Sequence, residues 1–197
     1  MPDKFHGKYR IPSARLQGYN YGQNGAYFIT ICTKDRIHNF GEIVLSAGLE
    51  TQNFAGLETQ NFASLRATPI GSIAGEYWRK IPEHFPFVIL DEFVVMPDHV
   101  HGIIIIYKET EDITSLQQIG YVNKFGPQSG NISSIIRGYK AGVKSYATIN
   151  KIDFAWQPRF YDRIIRDDEE MKRIRKYIVK NPDNWFKEKD NKEDLYM

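Results

Sequence analysis

Residues 85–107 read FPFVILDEFVVMPDHVHGIIIIY, and this stretch decides the fold. It contains two runs rich in β-branched and aromatic residues, separated by the turn signal Pro97-Asp98. Strands joined by so short a turn pair antiparallel, because a parallel pair needs a long crossover connection. We therefore predict a β-hairpin with strands over Phe85–Met96 and His99–Tyr107.

Apolar periodicity and capping residues predict the elements outside the hairpin. In chain order these are a strand at Tyr27–Thr33, a helix at Pro69–Pro82, a helix capped by Asn131, a strand within Phe154–Arg166, and a helix capped by Asp167 or Asp168. The last helix should end at Pro182, because proline disfavours a helical conformation in the residue before it. This order predicts an α+β sandwich with a mainly antiparallel sheet and helices on one face.

The 197 residues are enough for one domain, and we predict a single domain over residues 1–197. Residues 1–25 are predicted to form a basic N-terminal arm, and residues 187–197 a charged tail. An identical tandem repeat, AGLETQNF, occupies residues 47–54 and 55–62. Two short copies cannot build a solenoid, so we interpret residues 47–62 as a surface-loop insertion.

Composition limits the class of protein. Twenty-six basic residues against 24 acidic ones give a net charge of +2, which excludes a histone-like polycation but not a nucleic-acid-binding protein. Cys32 is the single cysteine, so no intrachain disulfide can form and a reducing compartment is favoured. The N-terminal residues show no signal-peptide pattern, and the apolar run Ile103–Ile106 is too short to span a bilayer. We predict a cytoplasmic protein with no membrane partner.

His99 and His101 stand two apart on a predicted strand, so both imidazoles point to one face. Two neighbouring imidazoles are poor core material, but they are good metal ligands held by a rigid element. No cysteine cluster is available for a structural zinc site. Two histidines with an oxygen ligand suit instead a divalent ion that acts as a Lewis acid on a phosphate.

Tyr177 and Asn181 lie four residues apart on the last predicted helix, and hence on one face. The amide oxygen of Asn181 is a plausible third ligand for a hard cation, and the phenol of Tyr177 is a nucleophile once deprotonated. The alternative is that Tyr177 only extends the apolar stripe of this helix, which is formed by Met171, Ile174 and Ile178.

Basic residues are concentrated toward the C-terminus. Residues 131–182 contain 12 lysines and arginines against six acidic residues, with aromatic side chains interleaved between 154 and 161. Cations for phosphates and rings for bases are typical of proteins that bind single-stranded nucleic acid. The alternative is an ordinary solvated helix face. The candidate DNA-binding residues are Arg137, Lys140, Lys144, Arg159, Arg163 and Arg173.

Five segments in one order resemble a known family, the REP-associated tyrosine transposases of the single-tyrosine HUH class. The segments are YFITICT (27–33), VMPDHVHG (95–102), SSIIRGYK (133–140), WQPRFYDR (156–163) and RKYIVKNP (175–182). They are spread through most of the chain, from residue 27 to residue 182. Asp98 departs from the asparagine of the family pattern, and the 47–62 repeat has no counterpart in it.

The resemblance implies a ferredoxin-like core in which His99, His101 and Asn181 bind Mg²⁺ or Mn²⁺. It further implies that Tyr177 attacks single-stranded DNA from palindromic repeat hairpins, leaving a 5′-phosphotyrosine and a free 3′-hydroxyl. Reversal by another strand would give strand transfer without ATP. The chain would act as a monomer or a homodimer.

Two functions of other classes compete with this one. A hairpin DNA- or RNA-binding regulator without strand cleavage would bind without metal and form no covalent adduct. A metal-dependent hydrolase of small molecules would need no Tyr177 and would show no salt-dependent affinity for DNA.

Overall fold

The computed structural model describes residues 4–5, 8–9, 19–46, 62–109 and 129–188. Its strands are β1 (Lys4–Phe5), β2 (Lys8–Tyr9), β3 (Gly25–Cys32), β4 (Gly41–Ser46), β5 (Phe62–Ala67), β6 (Val88–Met96), β7 (His99–Ile106) and β8 (Tyr161–Ile165). Its helices are α1 (Pro69–Arg79), α2 (Ile81–His84), α3 (Ile132–Ile149) and α4 (Asp168–Glu188), with a 3₁₀ turn at Lys34–Arg36.

The central sheet contains four strands in the order β6-β7-β3-β8, and every neighbouring pair is antiparallel. This confirms the predicted hairpin, whose strands pair from Val88 opposite Ile106 to Met96 opposite His99. The first predicted strand, β3, lies at the centre between β7 and β8. Its register places Thr30 directly opposite His101. The α+β class and the antiparallel sheet are therefore confirmed.

The two faces of the sheet carry different helices. Residues of β3 such as Tyr27 and Ile29 pack into the main core with α1 and α3. The alternate residues of the same sheet, Phe28 and Ile103, pack against Ile178 of α4. The prediction of helices on one face is correct for α1 and α3, but α4 covers the opposite face. Strand alternation leaves both faces apolar, so each needs its own helix.

Helix α4 does not end at Pro182, as the sequence predicted, but continues through it to Glu188. A proline inside a helix removes one hydrogen bond and costs about 3 kcal/mol. Trp185, one turn later, is buried with Met96 and Ile43, and its ring lies 6.1 Å from that of His99. Burial of a tryptophan of this size is worth a comparable amount, so packing sustains the last turns of the helix.

Helix caps are where the sequence predicted them. The side chain of Asn131 accepts from Ser134 N, and the Ser134 hydroxyl accepts from Asn131 N. Asp167 Oδ1 accepts from Glu170 N at the start of α4. The edge strand β6 starts at Val88 rather than Phe85, and a bulge interrupts its pairing between Leu90 and Phe93.

The tandem repeat connects two strands that the sequence did not predict. β4 and β5 pair antiparallel, from Gly41 opposite Ala67 to Ser46 opposite Phe62. Residues 47–61 of the predicted insertion lie outside the described residues, as do most of the 1–25 arm and nearly all of the 187–197 tail. None of the described helices has the length and apolar character needed to cross a membrane.

Candidate metal and nucleophile site

The structure brings together the four residues that the sequence proposed for chemistry. Tyr177 Oη lies 3.3 Å from His101 Nε2, although 76 residues separate them in the chain. The rings of His99 and His101 have centroids 4.4 Å apart on β7. Asn181 follows Tyr177 by one turn of α4 and lies near His99. All four residues belong to the same chain.

His99 is oriented by its neighbour in sequence. Its Nδ1 is 2.6 Å from Asp98 Oδ1, and Arg36 Nε is 2.9 Å from Asp98 Oδ2. A carboxylate only accepts hydrogen bonds, so Nδ1 carries the proton and Nε2 keeps its lone pair. Burial lowers the pKa of His99, against the opposing effect of Asp98. Burial therefore favours the neutral form of His99.

His101 is oriented across the sheet. Its Nδ1 is 2.8 Å from Thr30 Oγ1, the residue opposite it on β3. Burial lowers the pKa of His101 well below its ordinary value, and the nearby His99 and Arg36 lower it further. When Thr30 accepts from Nδ1, the lone pair on Nε2 faces the hydroxyl of Tyr177.

Three buried polar atoms in this site have no hydrogen-bond partner among the residues that the structure describes: His99 Nε2, Asn181 Oδ1 and Asn181 Nδ2. The amide of Asn181 lies close enough to His99 to raise the pKa of its imidazole slightly against the effect of burial. The two side chains nevertheless form no hydrogen bond with each other. Leaving a buried polar atom unpaired costs about 1–3 kcal/mol. Unpaired buried polar atoms beside a second imidazole are typical of a ligand-binding site.

The donor set fits a divalent cation. Imidazole nitrogen and amide oxygen are ordinary ligands of such ions, and Thr30 and Asp98 hold the second ring nitrogens as metal-binding histidines require. Within the described ranges, no group of three or more His, Cys, Asp or Glu side chains is placed to hold a metal. A three-ligand site therefore depends on Asn181, as the sequence analysis expected.

An aromatic wall surrounds the imidazoles. Phe28 stacks on His101 with ring centroids 5.3 Å apart, and Tyr177 meets the Phe28 ring edge-on at 6.1 Å. Trp185 lies over His99 on the side of the α4 C-terminus. These rings place apolar surface next to both imidazoles.

Exposure separates the nucleophile candidate from the ligand candidates. Tyr177 is 39% exposed, whereas His99, His101 and Asn181 are each at most 5% exposed. Ile178, the next residue, fills the core instead. Tyr177 is thus more exposed than the apolar stripe of α4, although its ring also contacts Phe28 of the cluster that this stripe joins. Tyr161 on β8 is a second tyrosine close by, and its ring meets Phe28 edge-on at 6.4 Å.

The six predicted DNA-binding residues fall into two groups. Arg137, Lys140 and Lys144 lie on α3, across the sheet from Tyr177. Lys140 Nζ donates to the carbonyl oxygens of Gln157 and Arg159, and Lys144 Nζ donates to that of Phe154. These two lysines hold the loop that leads into β8, and their contact with DNA stays a prediction.

Of the remaining three basic residues, Arg163 and Arg173 lie on the α4 side of the sheet. Arg163 stands opposite Phe28 in the sheet and forms an ion pair with Glu170 at 2.6 Å. Arg173 is exposed one turn before Tyr177 on α4, and Arg159 is exposed in the loop before β8. The α4 face of the sheet thus presents Arg163 and Arg173 beside Tyr177.

Three residues of the site were missed as functional candidates. Thr30 and Arg36 carry no local signal, because their partners are distant in the chain. Asp98 adjoins His99 in sequence and appeared only as a departure from the family pattern. A carboxylate next to a candidate metal-ligating histidine was the available signal for it.

Comparison with known proteins places this fold. The chain is 36% identical over 190 residues to an uncharacterized protein of Haemophilus influenzae, covering 94% of this chain and 96% of that protein. No established sequence-family profile matches it. The solved structure of a REP-associated tyrosine transposase bound to a REP hairpin superimposes with a TM-score of 0.51 at 17% identity, over 89% of this chain and 74% of that one. The chain therefore belongs to the family of the Haemophilus influenzae protein, and its fold is that of a REP-associated tyrosine transposase, as its motifs predicted.

Proposed function

We propose that this protein cleaves and rejoins single-stranded DNA, using Tyr177 as nucleophile and a divalent metal ion held by His99, His101 and Asn181. The observation that carries the proposal is the position of Tyr177 Oη, 3.3 Å from His101 Nε2 and exposed beside buried, unpaired ligand atoms. A core tyrosine would be covered, and a core histidine pair would have its nitrogens satisfied.

Each residue has a task that follows from its position. His99 and His101 would offer Nε2, and Asn181 its Oδ1, to Mg²⁺ or Mn²⁺. When bound, such an ion polarises a phosphate oxygen and stabilises the charge of the transition state. Tyr177 is 39% exposed beside the buried imidazoles, and we propose that a DNA phosphate approaches it from the solvent side.

The transfer step balances without a further reactant. The phenolic oxygen of Tyr177 forms a bond to phosphorus as the bond from phosphorus to the 3′ oxygen breaks. The phenolic proton is released and the departing 3′ oxygen takes up one proton. The products are a 5′-phosphotyrosine and a free 3′-hydroxyl, and attack by another 3′-hydroxyl reverses the step. The covalent link conserves the phosphodiester energy.

The basic groups near Tyr177 support nucleic acid as the substrate. Arg173 is exposed one helical turn before it, and Arg163 lies on the same face of the sheet. The solved relative with this fold is bound to a REP hairpin. We propose palindromic hairpin DNA as the substrate here, with affinity that falls as salt rises.

The proposal is tested with a labelled single-stranded hairpin and Mn²⁺ or Mg²⁺. Wild-type protein should form an adduct that survives denaturing gel electrophoresis, and Tyr177→Phe should form none. Tyr161→Phe is the matched control, because it removes the same hydroxyl from a neighbouring ring, and it should form the adduct normally.

The outcomes separate the candidate functions. An adduct in Tyr177→Phe that is lost in Tyr161→Phe would assign the nucleophile to Tyr161 and overturn this proposal. Hairpin binding that persists in a chelator, with no adduct from any hairpin tested, would indicate the non-catalytic regulator instead. DNA affinity that does not fall as the salt concentration rises would count against both the strand transferase and the non-catalytic regulator.

A further inference from the structure

We propose that Asp98, held by Arg36, is a positioning residue that fixes the tautomer and aim of His99 toward the metal pocket. The inference rests on the proposed function, because it assigns a task only if His99 binds a cation. Two contacts define it: His99 Nδ1 is 2.6 Å from Asp98 Oδ1, and Arg36 Nε is 2.9 Å from Asp98 Oδ2.

The hydrogen bond between Asp98 and His99 is buried, and it determines which nitrogen of the imidazole carries the proton. Asp98 and His99 are each 4% exposed, so water cannot replace either partner. An isolated imidazole exchanges its proton between the two nitrogens, but the carboxylate accepts only from Nδ1. The lone pair of His99 is then held on Nε2, which has no hydrogen-bond partner among the described residues and lies toward Asn181.

Arg36 determines which oxygen of Asp98 is available. Its guanidinium takes Oδ2 and also approaches Cys32 Sγ at 2.8 Å, which leaves Oδ1 for the imidazole. Asp35 and Arg36 both have left-handed backbone conformations, with φ of 54° and 56°. Non-glycine residues rarely adopt this conformation, and here it sits in the turn that carries the guanidinium to Asp98.

The backbone of Asp98 is anchored separately from its side chain. Its carbonyl oxygen accepts from Thr33 N at 2.9 Å and from Thr33 Oγ1 at 3.0 Å. A side-chain substitution therefore leaves the turn between β6 and β7 in place. Asp98→Asn retains the shape of the side chain and changes only its charge and its donors.

The asparagine variant has a defined expected result. Arg36 is a donor, so the new amide should turn its oxygen toward Arg36 and its NH₂ toward His99 Nδ1. The family pattern carries asparagine at this position; in this chain Arg36 should claim the amide oxygen, so that His99 carries its proton on Nε2, where it blocks metal binding. Proton–nitrogen correlation NMR of the metal-free, histidine-labelled protein reads this tautomer directly. Mn²⁺ affinity, measured by titration calorimetry, should fall about 10–100-fold.

Asp91→Asn is the matched control. It removes a second aspartate–arginine ion pair, between Asp91 and Arg175 at 2.6 Å, away from both imidazoles. Its Mn²⁺ affinity should stay within about twofold of wild type, because no ligand contact changes. Asp98→Ala adds a second test: it removes the acceptor entirely and should leave His99 as a mixture of tautomers with weakened Mn²⁺ binding.

His99→Ala separates failure of this inference from failure of the proposed function. If Mn²⁺ affinity is unchanged in His99→Ala, the metal site itself is wrong. If His99→Ala loses affinity while Asp98→Asn and Asp98→Ala keep the wild-type tautomer and affinity, Asp98 has no positioning role and the inference is overturned alone.

Discussion

Gly102 offers a sharp test of how the sheet packs beneath the histidines. It follows His101 on β7, and a Cβ built on it would lie 2.3 Å from Trp78 Cζ2 and 3.0 Å from Phe93 Cβ. Trp78 is completely buried, against Phe93 at 6.0 Å and Tyr139 at 5.3 Å between ring centroids. With an alanine at this position the Trp78 indole would have to move by about 1 Å to restore an ordinary van der Waals distance. Its close-packed neighbours oppose that movement.

We expect Gly102→Ala to lower the free energy of unfolding by about 1–3 kcal/mol, the usual cost of overpacking. For a chain of this size each kcal/mol lowers Tm by about 2–4 °C. Urea unfolding followed by tryptophan fluorescence measures the change. Gly75→Ala is the matched control, because its Cβ would meet only Arg79 and Val95, at 3.6 and 3.7 Å.

The control should be neutral or stabilising by up to about 1 kcal/mol, since alanine favours a helix interior such as that of α1. Equal stability of Gly102→Ala and wild type would refute the reasoning. It would mean that Trp78 does not pack against β7 as described.

Trp185→Ala should cost about 3–5 kcal/mol and reduce helical circular dichroism, because burial of the indole sustains the last turns of α4; unchanged ellipticity would contradict this. The pKa of Asp91 is lowered by the hydrogen bond from Arg175. The ion pair should therefore contribute to the free energy of unfolding above about pH 4, the pKa of an aspartate in the unfolded chain. That contribution should be lost as the pH falls through the lower pKa that Asp91 has in the folded protein. Unfolding curves of wild type and Asp91→Asn should converge in acid, and a constant gap would refute this. Thr30→Val removes the hydroxyl bonded to His101 and should weaken Mn²⁺ binding about tenfold, as read by calorimetry; unchanged affinity would show that the bond does not orient the ring.

Much of the fold follows from short-range patterns. Alternating β-branched residues around Pro97-Asp98 indicate the hairpin, and the alternation itself puts His99 and His101 on one face. Asn131 is recognisable as a cap because its hydrogen-bond partner is three residues away. The spacing of Tyr177 and Asn181 shows that they share a helix face. Each of these inferences needs only neighbours within a few residues.

Long-range packing decided the rest. Sequence periodicity cannot say which face of the sheet receives α4, and it gives no sign that Thr30 or Arg36 would orient the imidazoles. The proline rule predicted a helix end at Pro182 that the burial of Trp185 overrides.

The chain by itself determined the four strands of its central sheet, most of its helix starts and the chemistry available to it. Only the tertiary structure decided that a phenol and two imidazoles meet at one point. The physical reason is that hydrogen bonds within helices and turns act between near neighbours, whereas the docking of α4 depends on burying Phe28, Ile103 and Ile178 together, from three distant parts of the chain.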